Sequence, residues 1–295
     1  MKIIHVVKHF HPCIGGVENY CENLALYLEK SGYNNKIITL NTCYKSKTKL
    51  KKNEIYKNLP ITRLNYINLN YVYKISPQVL KYINDGDIII IHGHDFFVDF
   101  LTITKWIHKK KIILITHGGI FHTNRGNIFK KIYFYVWSRF TFLFVNKVIA
   151  ISEVDFNRYK DITTKLELFE NPVIVCEKSK VQKIKNQFIY VGRISENKKI
   201  ENLIETFSYL KDINFNLIIL GPDNDNKITD LKILAKKHNV DKKITFTGAV
   251  SEKMKNKLIE ESEYFVSASE YEGFGLSLIE CMSYFCIPIV QPNES

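Results

Sequence analysis

The feature that most constrains this chain is a regular alternation of short apolar runs with amphipathic helical patterns. Runs such as KIIHVV, DIIIIH, KIILITH and FNLIIL are continuously apolar, as strands buried on both faces of a parallel sheet must be. Patterns typical of helices, such as VENYCENLALYLEKSG and ENLIETFSYLKD, fall between them. The alternation predicts an α/β fold with open, doubly wound parallel sheets.

This series of strands and helices starts twice, once at Lys2 and again near Phe188. The stretch between them is polar and basic, with little periodicity. We therefore predict a first domain over 1–172, a linker over 173–187 and a second domain over 188–295. A chain of 295 residues with 45% hydrophobic content can bury a core in each.

The formal charge of +12 belongs entirely to the first half of the chain. Residues 1–172 hold 25 Lys and Arg against 13 Asp and Glu, whereas residues 173–295 hold 17 of each. A basic half can attract nucleic acid, an anionic membrane surface or an acidic substrate. Because the sequence has no zinc-finger spacing, RNP-like strand or isolated basic recognition helix, nucleic acid is the least favoured of the three.

The cysteines and the apolar runs indicate the compartment. Six scattered cysteines without a Cys-x-x-Cys pair predict reduced, mostly buried thiols in a cytosolic protein: Cys13, Cys21, Cys43, Cys176, Cys281 and Cys286. The N-terminus reads as a strand rather than a signal peptide. The longest apolar run, 132–145, is interrupted by Ser138 and Arg139, so we expect a soluble or peripheral protein.

The segment YEGFGLSLIE, near the end of the chain, is the strongest candidate for a binding site. It follows a predicted strand and opens a predicted helix, so the amides of Phe274, Gly275 and Leu276 would face a bound phosphate. Glu280, one turn into the helix, could accept hydrogen bonds from a ribose diol, and Glu272 could reach a sugar hydroxyl. The alternative interpretation is a turn followed by a solvated helix start.

Two further loops add candidate ligand contacts. In YVGRISENKKIENLI, Arg193 and Lys198 lie beyond a strand and could clamp a diphosphate, Arg as a planar fork and Lys as a mobile charge. The alternative interpretation is that Arg193 and Lys198 are two ordinary surface cations. In HFHPCIGGVENY, Gly15 and Gly16 separate a strand from a helix, where the absence of side chains lets a ligand approach the backbone.

Three other features have a structural and a functional interpretation. Asp223-x-Asp225 has the form of a metal-binding pair, but a solvated turn explains it fully. His92 and His94 end a strand and could line an acceptor pocket or be satisfied loop histidines, and no further zinc ligands stand out. The aromatic and basic stretch over 129–147 fits an interfacial membrane helix or a half-buried core helix.

Taken together, these loops resemble the family 4 glycosyltransferases, whose fold is GT-B. The shared motifs are a proline followed by Gly-Gly-Val-Glu, a Gly-Arg followed by Lys, and two glutamates separated by seven residues around Gly-Phe-Gly. A histidine that ends a strand, an Asn-Pro-Val and a Lys-Val-Ile-Ala-Ile-Ser-like segment also match. These are Pro12, Gly15–Glu18, Gly192, Arg193, Lys198, Glu272, Glu280, His117, Asn171–Val173 and Lys147–Ser152.

The resemblance implies two Rossmann-like domains facing each other across a cleft, and it implies a role for each matched residue. Arg193 and Lys198 would hold the diphosphate of a nucleotide-sugar, and Glu280 would bind its ribose. Glu272 and His117 would contact the transferred sugar as the catalytic pair. Gly15 and Gly16 would let the first domain close on the phosphates.

The resemblance also implies the reaction and its setting. Such enzymes are retaining and need no metal or other cofactor; their co-substrate is a UDP- or GDP-linked sugar. The leaving diphosphate is stabilised electrostatically while an acceptor hydroxyl attacks from the same face. The acceptor would be a glycan or a lipid-linked glycan in bacterial surface polysaccharide or lipopolysaccharide assembly. We expect a cytoplasmic enzyme, peripheral on the inner face of the membrane.

Two departures from the family pattern leave alternatives open. Lys199 occupies a position where members usually have glycine, so it either adds a phosphate contact or changes the turn. The chain also ends at Ser295, tens of residues before members do, which predicts an incomplete second domain. An inactive truncated remnant or accessory subunit, or a GT-B sugar-nucleotide epimerase, would be the alternative functions.

Overall fold

The computed structural model describes residues 1–44, 46, 48–69, 73–118, 131–170, 181–223, 225–270 and 275–292. The chain folds as two compact units, Met1–Asn171 and Pro172–Ser295.

The first unit is built on a large, mostly parallel sheet. Within the described residues its eight strands follow the order β10-β9-β8-β7-β1-β2-β4-β3, and only the β3–β4 pair of this sheet is antiparallel. β5 and β6 form a separate antiparallel pair. The strands are β1 Lys2–Val7, β2 Asn34–Leu40, β3 Asn53–Tyr56, β4 Leu59–Leu64, β5 Ile67–Asn68, β6 Lys74–Ile75, β7 Ile88–His92, β8 Lys111–Ile115, β9 Lys147–Ala150 and β10 Leu166–Leu168.

Helices cover both faces of this sheet. In β1, Ile4 and Val6 point into the core that contains α3, while Ile3 and Val7 point towards α1. Successive strand residues face opposite sides, which is why these strands are apolar throughout. The helices are α1 Gly16–Lys30, α2 Val79–Tyr82, α3 Phe96–Ile103, α4 Lys105–His108, α5 Ser138–Phe142 (preceded by a π-helical turn, Tyr133–Trp137) and α6 Glu153–Tyr159.

The second unit has a five-stranded, fully parallel sheet in the order β13-β12-β11-β14-β15. The strand order reverses between β11 and β14, which makes that point the topological switch at which open α/β sheets bind ligands. The elements are β11 Ile184–Val191, α7 Ile200–Ser208, β12 Asn216–Leu220, α8 Ile228–Lys237, β13 Ile244–Gly248, α9 Glu252–Glu261, β14 Ser262–Ser267, α10 Leu276–Ser283 and β15 Ile287–Val290.

The predicted alternation of strands and helices is confirmed, and every strand predicted from an apolar run is present. The short strands β3, β5, β6 and β10 and the proline-containing β4 were not predicted, since none of them has a long apolar run. β11 begins at Ile184, which pairs with Ser262. The last residues of the segment predicted as a linker are therefore in a strand.

The prediction of reduced thiols is wrong for two of the six cysteines. Cys13 and Cys43 form a disulfide with Cα atoms 5.4 Å apart. They follow β1 and β2, and because neighbouring parallel strands end at the same edge of a sheet, residues 30 positions apart meet there. Cys21, Cys281 and Cys286 are free and buried, as predicted, and Cys176 lies outside the described residues.

No helix within the described ranges is long and apolar enough to cross a membrane. The stretch predicted to be either interfacial or half-buried is amphipathic where the structure describes it. Phe134 and Phe142 are buried in the core, whereas Val136, Trp137 and Phe140 are exposed.

Candidate functional site

Two of the predicted ligand-binding segments lie side by side at the switch point of the second unit. β11 and β14 are hydrogen-bonded neighbours; Arg193 follows the first of them, and α10 follows the second. Arg193 is exposed, and its carbonyl accepts a hydrogen bond from the Tyr190 hydroxyl at 3.0 Å. The carboxyl edge of this sheet therefore presents a cation and a helix N-terminus together.

The turn that carries Lys198 is tied to the loop after β14. Lys198 ends a 3₁₀ turn, and Lys199, next to it, is left-handed with φ 48° and ψ 47°. The Lys199 ammonium lies 3.3 Å from the Glu270 carboxylate, and the Glu270 amide donates to the Asn197 carbonyl at 3.2 Å. Lys199, where family members usually have glycine, thus has a left-handed backbone and forms an ion pair. The left-handed backbone explains why glycine suits this position.

Gly275 opens α10 in a conformation that only glycine adopts easily. It is the N-cap of the helix, with φ 72° and ψ 34°. Its carbonyl accepts from the Ile279 amide at 3.1 Å, which leaves the first helical amides, including that of Leu276, without partners inside the helix. Such amides, together with the helix dipole, favour an anion.

Glu280 forms an ion pair that the sequence did not predict. One of its carboxylate oxygens, Oε1, accepts from the ammonium of Lys255 in α9. Both side chains are about three-quarters buried, with 29% of Glu280 and 23% of Lys255 exposed. The pair fixes the direction of the Glu280 carboxylate, and no described residue donates to its Oε2.

The Asp-x-Asp segment has a structural use. Both oxygens of Asp223 accept backbone amides at the start of α8, from Lys227 at 2.8 Å and from Ile228 at 2.9 Å. This is the hydrogen bonding of a helix cap, in agreement with the interpretation of the segment as a turn.

In the first unit, Gly15 and Gly16 have different surroundings. A Cβ on Gly15 would lie 2.3 Å from the Glu18 carboxylate and 2.3 Å from the Tyr44 hydroxyl, which donates to Glu18 at 2.8 Å. A Cβ on Gly16 would meet nothing within 4 Å. A side chain at position 15 would therefore displace the Glu18 carboxylate and the Tyr44 hydroxyl, whereas a Cβ at position 16 would meet open space beside the start of α1.

His117 follows β8 in a turn that a buried carboxylate holds on both sides. Its φ is 49°, an uncommon value outside glycine. Asp155 accepts from the Thr116 hydroxyl at 2.6 Å and from the Gly118 amide at 2.7 Å. Burial raises the pKa of Asp155, and these two hydrogen bonds oppose the rise. The backbone of His117 is thus fixed by its two neighbours in sequence.

The His117 side chain ends a row of buried histidines. His92 Nδ1 lies 3.2 Å from His117 Nε2, and His5 Nδ1 lies 3.0 Å from His92 Nε2. His5 Nε2 lies 3.1 Å from the side-chain oxygen of Asn35. Burial lowers the pKa of His5 to about 4 and that of His117 to about 3, and it lowers the pKa of His92 well below the usual value. All three imidazoles are therefore neutral near pH 7.

Among the described residues, one group of side chains is close enough to hold a metal ion. The nitrogen and sulfur atoms of His5, Cys21 and His92 all lie within 4.8 Å of one another. However, the two imidazoles already share a hydrogen bond, and burial raises the pKa of the Cys21 thiol well above its usual value. The group is better described as a neutral hydrogen-bonded network than as a metal site.

The structure brings the predicted site residues together in two sets. Arg193, Lys198, Gly275, Leu276 and Glu280 gather at the switch point of the second unit. Gly15, Gly16 and His117 belong to the first unit. Glu272 and Phe274 lie outside the described residues.

Sequence reasoning missed Lys255, Asn35 and His5. His5 left a signal, because it is a polar residue inside the apolar run of β1.

Comparison with known proteins agrees with these observations. Residues 176–295 match the family described as Glycosyl transferases group 1, and residues 14–174 match Glycosyltransferase Family 4. A GDP-mannose:cellobiosyl-diphosphopolyprenol alpha-mannosyltransferase of Xanthomonas campestris is 34% identical, over 98% of this chain and 78% of the relative. The protein with the same name from Xanthomonas oryzae pv. oryzae is 32% identical over the same shares.

Among solved structures, Anabaena HepE in complex with UDP and glucose superposes with a TM-score of 0.74. The superposition covers 98% of this chain and 80% of HepE, at 14% identity. The two parallel Rossmann-like sheets and this structural likeness define the fold class as GT-B, as predicted from the sequence. The chain belongs to glycosyltransferase family 4.

Proposed function

We propose that this glycosyltransferase moves a hexose, with retention, from a nucleotide-diphosphate sugar to a lipid-linked glycan during polysaccharide assembly. The observation that carries the donor half of the proposal is the arrangement at the switch point. Arg193 and the N-terminus of α10 follow two adjacent strands, and the turn with Lys198 is tied to the loop between β14 and α10.

In this proposal Arg193 and Lys198 bind the donor diphosphate, and the amides of Phe274, Gly275 and Leu276 add hydrogen bonds. As the bond between the sugar carbon and the diphosphate oxygen breaks, negative charge grows on that oxygen. Fixed cations and a helix N-terminus stabilise such charge more strongly in the transition state than in the bound donor. No metal is needed for this step.

Glu280 is proposed to bind the ribose of the donor. Its Oε1 is occupied by Lys255, so Oε2 would accept from the ribose diol while the contact with Lys255 keeps the carboxylate oriented. The amine of Lys255 therefore acts on the donor through Glu280.

For the donor base and sugar, we propose GDP-mannose, because both curated relatives described above are named for that donor. Glu272 and His117 are proposed to contact the transferred sugar, and Gly15 and Gly16 to let the backbone approach the donor phosphates. Their place in the family motif supports these roles.

For the acceptor, we propose a saccharide linked to a polyprenyl diphosphate, the acceptor named for the same relatives. A protein acting on such a substrate must work at a membrane surface. In the first unit, α4 and the end of the helical segment after it both expose large apolar side chains, and the Lys105 ammonium links them by donating to the Phe144 carbonyl at 2.6 Å.

We call these exposed side chains the apolar face. Its members are Ile103, Trp106, Ile107, Tyr135, Val136, Trp137, Phe140, Leu143 and Phe144. Trp106 is 76% exposed and Val136 is 67% exposed. The exposed cations Lys109, Lys111, Lys131 and Arg139 lie on or next to these elements. Aromatic residues with flanking cations favour the interface of an anionic membrane.

The donor half is tested by titrating the protein with GDP-mannose, UDP-glucose and ADP-glucose while its melting temperature is followed. A nucleotide-sugar that binds the folded state raises the melting temperature by mass action. We expect GDP-mannose to give the largest shift. Arg193→Ala and Glu280→Ala should each weaken binding roughly 10- to 100-fold, the range for a hydrogen bond to a charged group. Lys232→Ala, on the exposed side of α8, is the matched control.

The acceptor half is tested with GDP-mannose and a polyprenyl-diphosphate disaccharide, with transfer followed by mass spectrometry. Transfer with an α-linked product supports the proposal. Donor binding without transfer to any acceptor would instead favour an inactive accessory protein, and conversion of the donor alone would favour an epimerase. Trp106→Ser should weaken binding to anionic vesicles. Tyr209→Ser, which changes an even more exposed aromatic residue of the second unit, should not.

A further inference from the structure

The row of buried histidines behind His117 has a defined direction, and Asn35 sets it. The Asn35 side-chain amide donates to the Glu29 carboxylate at 3.0 Å and to the Tyr33 carbonyl at 2.7 Å. Both partners are acceptors, so the amide nitrogen must face them. The side-chain oxygen of Asn35 therefore faces His5, and only an N–H can complete that contact.

From this fixed end the proton positions follow along the row. His5 must carry its hydrogen on Nε2, which points at the Asn35 oxygen at 3.1 Å. A neutral imidazole has one N–H, so His5 Nδ1 is an acceptor and receives the hydrogen of His92 Nε2 at 3.0 Å. His92 Nδ1 is then an acceptor too, and it receives the hydrogen of His117 Nε2 at 3.2 Å.

The reverse direction would bring two acceptors together at the Asn35 end of the row. If His117 carried its hydrogen on Nδ1, the bare Nε2 of His5 would face the Asn35 oxygen, and two acceptors would lie 3.1 Å apart. Turning the Asn35 amide over would relieve that contact, but it would place the oxygen against Glu29 and Tyr33. A buried acceptor left without a donor is costly, and both His5 and Asn35 are buried.

We propose that Asn35, His5 and His92 are positioning residues that hold His117 in the Nε2–H tautomer and so present its Nδ1 as a hydrogen-bond acceptor. An acceptor at this point selects a ligand hydroxyl over a carbonyl or carboxylate oxygen. Assigning that hydroxyl to the donor sugar rests on the function proposed above; the tautomer itself does not.

Packing around His117 supports this role. The Tyr20 ring packs against the His117 ring in an edge-to-face arrangement, with centroids 4.8 Å apart. The His92 ring lies beside the His117 ring, with centroids 5.5 Å apart and planes inclined by 25°, as an in-plane N–H···N hydrogen bond requires. No described residue hydrogen-bonds His117 Nδ1, and the side chain is partly exposed. The ring is thus held on its Nε2 side, while the residue keeps a partial exposure to solvent.

The first test reads the tautomers directly, without substrate. Long-range ¹H–¹⁵N spectra of protein labelled at histidine distinguish Nε2–H from Nδ1–H imidazoles, and single His→Gln variants assign the signals. We expect His5, His92 and His117 all to be Nε2–H near pH 7. An Nδ1–H signal for His117 in the wild-type protein would overturn the proposal, whatever the variants do.

The second test breaks the row at its anchored end. His5→Leu removes both hydrogen bonds of His5, so His92 and His117 should shift to a mixture of tautomers. His5→Gln should preserve Nε2–H at His117, since its amide nitrogen can donate to Asn35 while its oxygen accepts from His92. His108→Gln is the control, because His108 is a buried histidine of the same unit whose hydrogen-bond partners, among the described residues, are the Leu101 carbonyl and the Lys110 amide. If His92 and His117 keep their tautomers in a folded His5→Leu protein, the proposal that the row sets the tautomer of His117 is refuted.

Transfer kinetics distinguish the tautomer proposal from the proposed function. In His5→Leu, kcat/KM for the donor should fall roughly three- to tenfold, the size of one neutral hydrogen bond, and His5→Gln should restore most of it. If the wild-type protein shows the expected tautomers but transfers no sugar, the proposed function is contradicted. The proposal that the histidine row sets the tautomer of His117 would still hold. If His5→Leu gives a mixture of His117 tautomers but a normal kcat/KM, the tautomer of His117 does not affect donor use, and that part of the proposal is refuted.

Discussion

The backbone conformation of the turn that contains Lys198 and Lys199 can be tested sharply at Lys199, because this residue combines a left-handed backbone with an ion pair. Lys199→Gly should make the second unit more stable than Lys199→Ala. Both variants lose the pair with Glu270, but only glycine also relieves the backbone at φ 48° and ψ 47°.

The size of the difference follows from these two contributions. A side chain in the left-handed region costs about 1 kcal/mol relative to glycine. The ion pair joins side chains that are 30% and 59% exposed, so solvent screening limits its contribution to about 0.3 kcal/mol. Lys199→Ala should thus lose about 0.3 kcal/mol and Lys199→Gly gain about 0.7 kcal/mol. For a unit of about 120 residues, a difference of about 1 kcal/mol is about 4 °C in melting temperature.

Thermal unfolding of the two variants measures this difference, and Lys232 supplies a control of opposite sign. Lys232 lies on the exposed side of α8, where glycine should be about 1 kcal/mol less stable than alanine. Equal melting temperatures for the two Lys199 variants would refute the left-handed conformation. Donor affinity should change less than about twofold in both; a tenfold loss would instead make Lys199 a phosphate ligand.

Three further predictions concern other parts of the chain. Gly275→Ala should lower stability by about 1 kcal/mol, because its φ is 72°, and should weaken donor binding several-fold; chemical unfolding and donor titration measure both, and unchanged values would contradict the proposed role of α10. Burial lowers the pKa of His94 from 6.5 to about 3. As the pH falls below 6.5, the unfolded state therefore binds a proton that the folded state does not, and stability is lost. His94→Gln should flatten the decline between pH 6 and pH 4 by up to about 1.4 kcal/mol per pH unit, and an unchanged slope would show that His94 titrates normally. Cys43→Ser should cost about 3–4 kcal/mol, given a closed loop of about 30 residues. A mass spectrum of unreduced peptides without a Cys13–Cys43 link would exclude the disulfide.

The sequence predicted the fold because its signals are local. Continuous apolar runs, such as DIIIIH and FNLIIL, specify strands that must be covered on both faces, and helical periodicity between them leaves a parallel α/β sheet as the arrangement. The loop residues Arg193 and Gly275 were predicted for a related reason. Each lies within a few residues of a strand end, and in a parallel sheet those ends share one edge.

Contacts between distant segments had no such signal. Glu280 was predicted as a ribose ligand, but nothing near it in sequence indicates that Lys255, 25 positions away, pairs with it. The Cys13–Cys43 disulfide depends on β1 and β2 being neighbours, and their spacing in sequence is compatible with many other pairings.

The histidine row shows most clearly what the sequence determined and what the tertiary structure determined. The sequence alone marked His117 as a residue at the end of a strand and assigned no role to His5, a polar residue within an apolar run. Only the tertiary structure placed β1 beside β7 and β7 beside β8, which brought His5, His92 and His117 within hydrogen-bonding distance. The physical reason is that strand formation depends on the pattern of neighbouring residues, whereas a hydrogen bond between side chains depends on which strands pair and in which register.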